Sequence, residues 1–108
     1  GLTWQIIAIN QMALINNGYF TNGVGTLNLT LPAVSSIGDM VAVTSLNAPG
    51  WSIMQQAGQS INYSGVTTTL GPAGGISSTA QGDTLLLVCF TPNLAWQAIS
   101  AVGNLTVV

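Results

Sequence analysis

The sequence lacks basic side chains altogether, with no lysine, arginine or histidine among its 108 residues. Two aspartates are its only acidic side chains, so 2% of the residues are charged, whereas a typical soluble domain has about 25%. A chain without cations cannot neutralise phosphates, which excludes nucleic acid as a partner. The usual general bases and activated nucleophiles are also missing, so no enzymatic activity is expected.

Cysteine is equally scarce, because Cys89 is the only one in the chain. A single cysteine forms no internal disulfide, and metal sites built from histidines or several cysteines are excluded. Cys89 lies in the apolar run Leu85–Phe90, where no basic residue could activate its thiol. We interpret it as a small buried apolar residue, and no cofactor or metal is expected.

Long apolar runs are absent although 48% of the residues are hydrophobic. No segment approaches the roughly 18 consecutive apolar residues of a transmembrane helix, so membrane insertion is not expected. The high apolar content argues against disorder. We expect a single β domain over residues 1–108 with a surface of amides and hydroxyls. Because the chain begins at Gly1 without methionine, we interpret it as a processed product or a fragment of a longer protein.

Strand patterns dominate the sequence, and helical periodicity is weak. Short β-branched and aromatic runs alternate with Gly, Pro and Asn at a spacing of roughly eight to twelve residues, as in all-β proteins. The predicted strands are 3–9, 12–15, 18–21, 26–31, 40–46, 51–56, 60–63, 66–70, 75–78, 84–91, 95–101 and 104–108. Asn17-Gly18 and Asn22-Gly23 predict tight hairpin turns. We therefore expect an antiparallel β-sandwich or a β-prism-like module with Gly, Asn and Pro turns.

An internal near-repeat relates residues 38–58 to residues 82–103. Each copy begins with Gly-Asp, continues through an apolar run and a Pro-containing turn, and then reaches a tryptophan and a later glycine. The step from Gly to Trp is 13 residues in one copy and 14 in the other. The pattern predicts a pseudo-symmetric pair of hairpins, with chance similarity as the alternative.

Two strands are apolar on both faces. Leu85, Leu87 and Cys89 would face one side of a strand, and the other side would be equally apolar. The run Met40–Val43 has the same character. Since no helix is predicted to cover a second face, we expect another sheet of this chain or of a neighbouring copy to cover it. The protein is therefore predicted to be a homo-oligomer.

The two carboxylates, Asp39 and Asp83, have a chemical and a structural interpretation. As a pair they could bind Ca²⁺ or act as acid and base. Because both follow a glycine at matching positions of the near-repeat, the sequence favours turn residues that accept backbone N–H bonds.

Aromatic and amide side chains offer a second possibility, the binding of a neutral glycan. Trp4, Tyr19 and Tyr63 are the candidate contacts to sugar rings. Candidate amides for the sugar hydroxyls are Gln55, Gln56, Gln59 and Asn62. Trp51 and Trp96 occupy equivalent positions in the near-repeat and are therefore predicted to be core residues.

A series of turn and strand-core motifs extends over nearly the whole chain. The motifs are Asn17-Gly18-Tyr19, Leu29-Thr30-Leu31-Pro32-Ala33, Gly38-Asp39, Gly50-Trp51-Ser52-Ile53, Ala57-Gly58-Gln59-Ser60-Ile61, Ser78-Thr79, Gly82-Asp83, Leu87-Val88-Cys89, Trp96 and Gly103-Asn104-Leu105-Thr106-Val107. In these motifs the chain resembles carboxy-terminal parts of phage tail-fibre or tail-spike-like proteins, and large bacterial proteins of unassigned role. The resemblance implies a homotrimer, exposure outside the cell or on the virion surface, and no catalysis.

The absence of Lys and Arg departs from that family's pattern. It disfavours a receptor-binding tip that uses charge and fits a module that packs against copies of itself. Our first hypothesis is thus a structural, self-assembling module of an extracellular or virion fibre. The alternatives are a carbohydrate-binding module for a neutral cell-surface glycan and a subunit of a secreted filament.

A chain without cationic side chains should be insensitive to ionic strength. Only the chain terminus could form an ion pair, so the free energy of unfolding should vary little between low and high sodium chloride, apart from salting-out effects. The melting temperature should also be nearly constant between about pH 5 and pH 8, where ordinary aspartates do not titrate. Thermal denaturation over both ranges tests this. A steep loss of stability between pH 6 and 8 would contradict it.

Overall fold

The chain forms twelve strands and no helix in a computed structural model, which describes residues 1–108. The strands are β1 (Thr3–Ile7), β2 (Gln11–Met12), β3 (Asn17–Thr21), β4 (Leu27–Thr30), β5 (Met40–Ser45), β6 (Trp51–Met54), β7 (Ser60–Tyr63), β8 (Val66–Thr67), β9 (Gly75–Ser77), β10 (Thr84–Thr91), β11 (Ala95–Val102) and β12 (Thr106–Val107). Every predicted strand overlaps one of these, which confirms the all-β prediction.

Two sheets pack against each other in a sandwich-like arrangement. The seven-stranded sheet has the order β1-β3-β5-β10-β11-β7-β8, and the five-stranded sheet has the order β12-β9-β6-β4-β2. The expectation of antiparallel sheets is wrong, because both sheets are mixed. Five of the ten strand pairs are parallel: β1–β3, β3–β5, β7–β11, β2–β4 and β4–β6.

The parallel pairs arise from the path of residues 3–54. Over this segment the chain crosses to the other sheet after every strand, so β1, β3 and β5 lie in one sheet and β2, β4 and β6 in the other. The segment is therefore a coil, in which each strand returns to its sheet in the same direction as the strand before it. We call it the coiled segment.

Both predicted hairpin turns are wrong. Asn17 and Gly18 belong to β3, and Asn22-Gly23 lies where the chain crosses from β3 to β4 in the other sheet. Glycine is required at position 18 because the indole of Trp4 packs directly against it. A Cβ atom at Gly18 would come within 2.5 Å of the Trp4 ring. Only glycine leaves room for this contact between neighbouring strands, so the Asn-Gly pair marks a packing requirement and not a hairpin.

The two copies of the near-repeat have the same structure only at their Gly-Asp turns. Gly38-Asp39 leads into β5 and Gly82-Asp83 into β10, and these two strands are neighbours in the seven-stranded sheet. The paths then differ, because β5 is followed by β6 in the other sheet whereas β10 forms a hairpin with β11. The predicted pair of equivalent hairpins is therefore wrong.

The core lies between the sheets and contains both tryptophans of the near-repeat. Trp51 enters it from the five-stranded sheet and Trp96 from the seven-stranded sheet, and both are fully buried. The indole N–H of Trp51 donates to the carbonyl of Asp83 at 3.0 Å. The buried indole N–H of Trp96 has no hydrogen-bond partner. The predicted core position of both residues agrees with this arrangement.

Replacing each tryptophan by alanine and by phenylalanine should separate the stability that comes from buried volume from the stability that comes from the indole hydrogen bond. Trp51→Ala and Trp96→Ala should each lower the free energy of unfolding by about 3–5 kcal/mol. In addition to its loss of volume, Trp51→Phe loses a hydrogen bond worth about 1 kcal/mol, whereas Trp96→Phe loses none. Chemical denaturation of the four variants measures these differences. Alanine variants that unfold like the parent would contradict the assigned core.

Candidate functional site

The two carboxylates occupy the same kind of turn. Asp39 accepts the Ser36 N–H on Oδ2 at 2.8 Å, and its own N–H donates to the Ser36 carbonyl at 3.0 Å. The turn requires glycine before the aspartate, because Gly38 has φ +91°. The turn at Asp83 repeats this arrangement with Ala80, whose N–H donates to Oδ2 at 3.0 Å. The predicted turn role is confirmed at both positions.

A third turn of this kind was missed in the sequence. Gln59 accepts the Gln56 N–H on Oε1 at 2.8 Å and donates its own N–H to the Gln56 carbonyl at 3.0 Å. Gly58 before it has φ +79°, and β7 follows it. The sequence signal for this turn was Gly58-Gln59 before a strand. It resembles the Gly-Asp signal, with a longer and neutral side chain in place of the aspartate.

Asp83 is the buried member of the pair. Its pKa lies below the ordinary value, mainly because the backbone N–H of Thr79 donates to it, with Ala80 and the Thr79 hydroxyl adding to the effect. Burial of the carboxylate raises its pKa, but by less than these hydrogen bonds lower it. The carboxylate also packs against Gly103, where a Cβ atom would meet Oδ1 at 1.9 Å.

Asp39 and Asp83 do not form a joint site. They precede the opposite ends of an antiparallel strand pair, in which Met40 lies opposite Val88 and Thr84 lies opposite Thr44. At about 3.4 Å per residue, the two carboxylates are therefore roughly 20 Å apart. The arrangement supports neither a shared Ca²⁺ ion nor an acid–base pair.

Two of the four amides proposed for sugar hydroxyls are buried, and a third, that of Gln56, donates to the Leu31 carbonyl at 2.8 Å. Gln59 is buried, and its Nε2 donates to the carbonyls of Pro32 at 2.8 Å and Asn93 at 3.2 Å. Gln55 is also buried and accepts a hydrogen bond from Thr68. Its Nε2 lies 2.8–3.0 Å from three loop carbonyls, those of Gln59, Thr69 and Gly71. The expectation that Gln55 and Gln59 bind a glycan is therefore wrong.

The three aromatic candidates for glycan binding do not come together. Tyr19 has 0% exposure, and its hydroxyl accepts the Leu14 N–H at 2.7 Å, so its predicted contact with a sugar is wrong. Trp4 lies on β1 and Tyr63 on β7, five strand positions apart in the same sheet. At about 4.8 Å per strand, this separation is roughly 24 Å.

Cys89 is buried at the inner face of β10, as predicted. Its Sγ lies 3.3 Å from the Ser35 hydroxyl and 3.2 Å from the Thr91 carbonyl. These contacts hold the loop before β5 against the end of β10. The thiol therefore has a packing role.

The outer face of the seven-stranded sheet is apolar over β1, β3, β5 and β10. We call it the apolar face. Because Leu85, Leu87 and Cys89 of β10 are in the core, the alternate residues of that strand point outward. The outward residues of the four strands are Trp4, Ile6, Gly18, Phe20, Met40, Ala42, Thr44, Thr84, Leu86, Val88 and Phe90. Only the two threonines are polar.

Exposure and packing show that the apolar face is open in the single chain. Trp4 is 44% exposed, Ile6 67% and Phe90 44%. The rings of Trp4 and Phe20 are in contact, with centroids 4.9 Å apart. At the polar positions, the hydroxyls of Thr44 and Thr84 bond to each other at 2.8 Å. The threonines therefore interrupt the apolar surface less than two free hydroxyls would.

The outer face of the five-stranded sheet has the opposite character. Its outward residues are Asn28, Thr30, Ser52, Met54, Ser77 and Thr106, together with Met12 at the edge. Ser52 and Ser77 bond to each other across neighbouring strands at 2.8 Å. In a chain almost without charge, this difference between the two outer faces is the main asymmetry of the surface.

No protein-family model matches the chain, and a comparison with curated proteins finds no match either. The structure has no helix long and apolar enough to cross a membrane. The candidate site is therefore assigned from the geometry of the apolar face alone.

Acid should destabilise the protein through Asp83. Because its folded pKa is lowered, its stabilising contribution is complete above the unfolded aspartate pKa of about 3.9. The contribution is lost as the pH falls through the folded pKa. Asp83→Asn should cost about 1.5–3 kcal/mol at neutral pH and weaken this acid dependence. Denaturant unfolding from pH 2 to 7 measures both effects.

Asp39→Asn is the matched control, because it changes the same kind of turn at a more exposed position. It should cost less and retain the acid dependence that comes from Asp83. Equal effects of the two substitutions would contradict the distinct role assigned to Asp83.

Proposed function

We propose that the protein is a non-enzymatic, self-associating structural module of an extracellular or virion fibre, in which copies pack through the apolar face. The observation that supports this function is the contrast between the two outer sheet faces. Leu86 and Val88 belong to an apolar surface four strands wide, whereas the corresponding surface of the other sheet carries mainly hydroxyl groups. Apolar surface of this extent on a folded chain is typical of an interaction site.

The charge distribution favours a second copy as the occupant of the apolar face. Neither aspartate lies on this face, since both are held in turns at the strand ends. Two copies that approach through it bring no charge into the contact, so no desolvation penalty for ions opposes association. A partner with an ordinary charged surface would find no counter-ion there.

The resemblance to tail-fibre and tail-spike-like carboxy-terminal domains supports a closed homotrimer on the outside of a cell or virion. The mass of the native assembly distinguishes this arrangement from the secreted filament, because a filament grows without a fixed size. Stable interfaces of the obligate kind bury more than about 2,000 Å² in total.

A carbohydrate-binding module is the second candidate, and a cleft beside β7 supports it. The cleft has a volume of about 280 Å³ and is lined by Tyr63, Ser64 and the segment Gln97–Ala101. Tyr63 could stack on a sugar ring, while Gln97 and Ser100 could bond to hydroxyls of a neutral glycan. This cleft does not include Trp4.

Substitution of a residue on the apolar face should abolish assembly. Val88→Asn places an amide where copies would pack, so the native mass should fall to that of one chain. Met54→Asn is the matched control, because Met54 is also half-buried but lies on the outer face of the five-stranded sheet. It should assemble like the parent. Multi-angle light scattering at micromolar concentration measures the masses, and thermal melting verifies that both variants fold.

A monodisperse monomer for the parent chain would overturn the proposal. So would a Val88→Asn variant that assembles as well as the parent. If the parent is a monomer that binds neutral oligosaccharides, and Tyr63→Ala removes this binding without a change in folding, the carbohydrate-binding module replaces the fibre module.

A further inference from the structure

One edge of the seven-stranded sheet is a complete strand without a neighbour. β1 is five residues long and pairs only with β3, so its other side is open. Thr3 donates its N–H to the Asn16 carbonyl, and Ile7 accepts from the Asn22 N–H. Since residues alternate in a parallel ladder, residues 3, 5 and 7 face β3. The N–H and carbonyl groups of Trp4 and Ile6 therefore point to the open edge.

An open row of backbone donors and acceptors is a template for pairing with another strand. The other sheet edges of this protein are unsuited to the role, because β8, β2 and β12 are only two residues long. Head-to-tail addition of copies through β1 would thus leave most of the row unpaired. The only strand edge in the protein that matches β1 in length is β1 itself.

We propose that β1 pairs antiparallel with β1 of a second copy, about a twofold axis at Gln5. This register places Trp4 of one copy opposite Ile6 of the other, and the same contact repeats across the axis. Each of these residues presents both backbone groups to the edge, so the two pairs exchange about four hydrogen bonds. All edge-facing groups of Trp4 and Ile6 are then satisfied.

The side chains favour the same arrangement. Trp4 and Ile6 both lie on the apolar face, and in this register each packs beside the other residue of the second copy. Directly opposed side chains have Cβ atoms about 4.5–5.5 Å apart, which suits an aromatic–β-branched pair. The two seven-stranded sheets become one continuous sheet, and their apolar faces become one surface.

A second copy also meets the electrostatic requirement at this edge. β1 has no charged side chain, and the nearest polar contact is that of the Gln5 amide with Asn17 at 3.4 Å. Association of two neutral strands therefore buries no ion. This contact rests on the proposed self-association, but it uses the sheet edge and is distinct from packing through the apolar face. Because three equivalent β1 edges cannot pair twofold within one closed trimer, the contact would join copies that belong to different trimers.

Proline substitution tests the edge without removing an internal hydrogen bond. The Ile6 N–H points away from β3, so Ile6→Pro should leave the chain folded but block the edge, as proline does on edge strands. Ile6→Val keeps the N–H and the apolar side chain and should pair like the parent. Gln5→Pro removes an N–H that faces β3, so it should lower the melting temperature.

Hydrogen exchange on the parent assembly gives a readout that does not depend on any variant. If the edges pair, the amides of Trp4 and Ile6 should exchange at least tenfold more slowly than in the monomeric state reached by dilution of the parent. Analytical ultracentrifugation of the parent, Ile6→Val and Ile6→Pro should show loss of the twofold contact in the proline variant alone.

The outcomes separate this contact from the proposed function. Fast exchange at Trp4 and Ile6 in an assembled parent would overturn the edge contact while leaving packing through the apolar face intact. Retention of the parent mass by Ile6→Pro would do the same. A parent that is monomeric throughout, with Val88→Asn unchanged from it, would overturn both. If Ile6→Pro fails to fold, the exchange rates in the parent still decide the question.

Discussion

The structure depends on satisfying its buried polar groups almost entirely without charged side chains. In most proteins, some loop carbonyls and amides bond to charged side chains, but this chain has only two carboxylates and no cation. In this protein, neutral amide side chains make most of these hydrogen bonds to the loops. Gln59 joins the loops at Pro32 and Asn93, and Gln55 holds the segment that ends at Gly71. The single buried carboxylate, Asp83, closes the corresponding loop on the opposite end of the sandwich.

This neutral framework also limits what the surface can do. The two sheets differ in their outer faces, so polarity alone would distinguish the side proposed to associate from the other side. Association through an apolar sheet face is only weakly directional, whereas the paired backbone groups of a strand edge define both register and orientation. A protein with only two charged side chains has few other ways to select one arrangement of its copies.

The strand positions could be predicted from the sequence, but their pairing could not. Gly, Pro and Asn end strands through local backbone preferences, and these preferences are visible in the residues themselves. Whether β3 follows β1 in a hairpin or after a crossing to the other sheet depends on distant packing, as the contact of Trp4 with Gly18 shows. The burial of Tyr19 and Gln59 was missed because their partners are backbone groups of loops, and no local pattern identifies them.

The coiled segment has a consequence for how a protein of this shape can vary. Each circuit of the chain adds one strand to each sheet while the cross-section of the sandwich stays the same. A duplication of one circuit would therefore lengthen the module and leave the existing turns, the two core tryptophans and the amides of Gln55 and Gln59 unchanged. A new circuit would pair with its neighbours in the same parallel arrangement that β1, β3 and β5 already share.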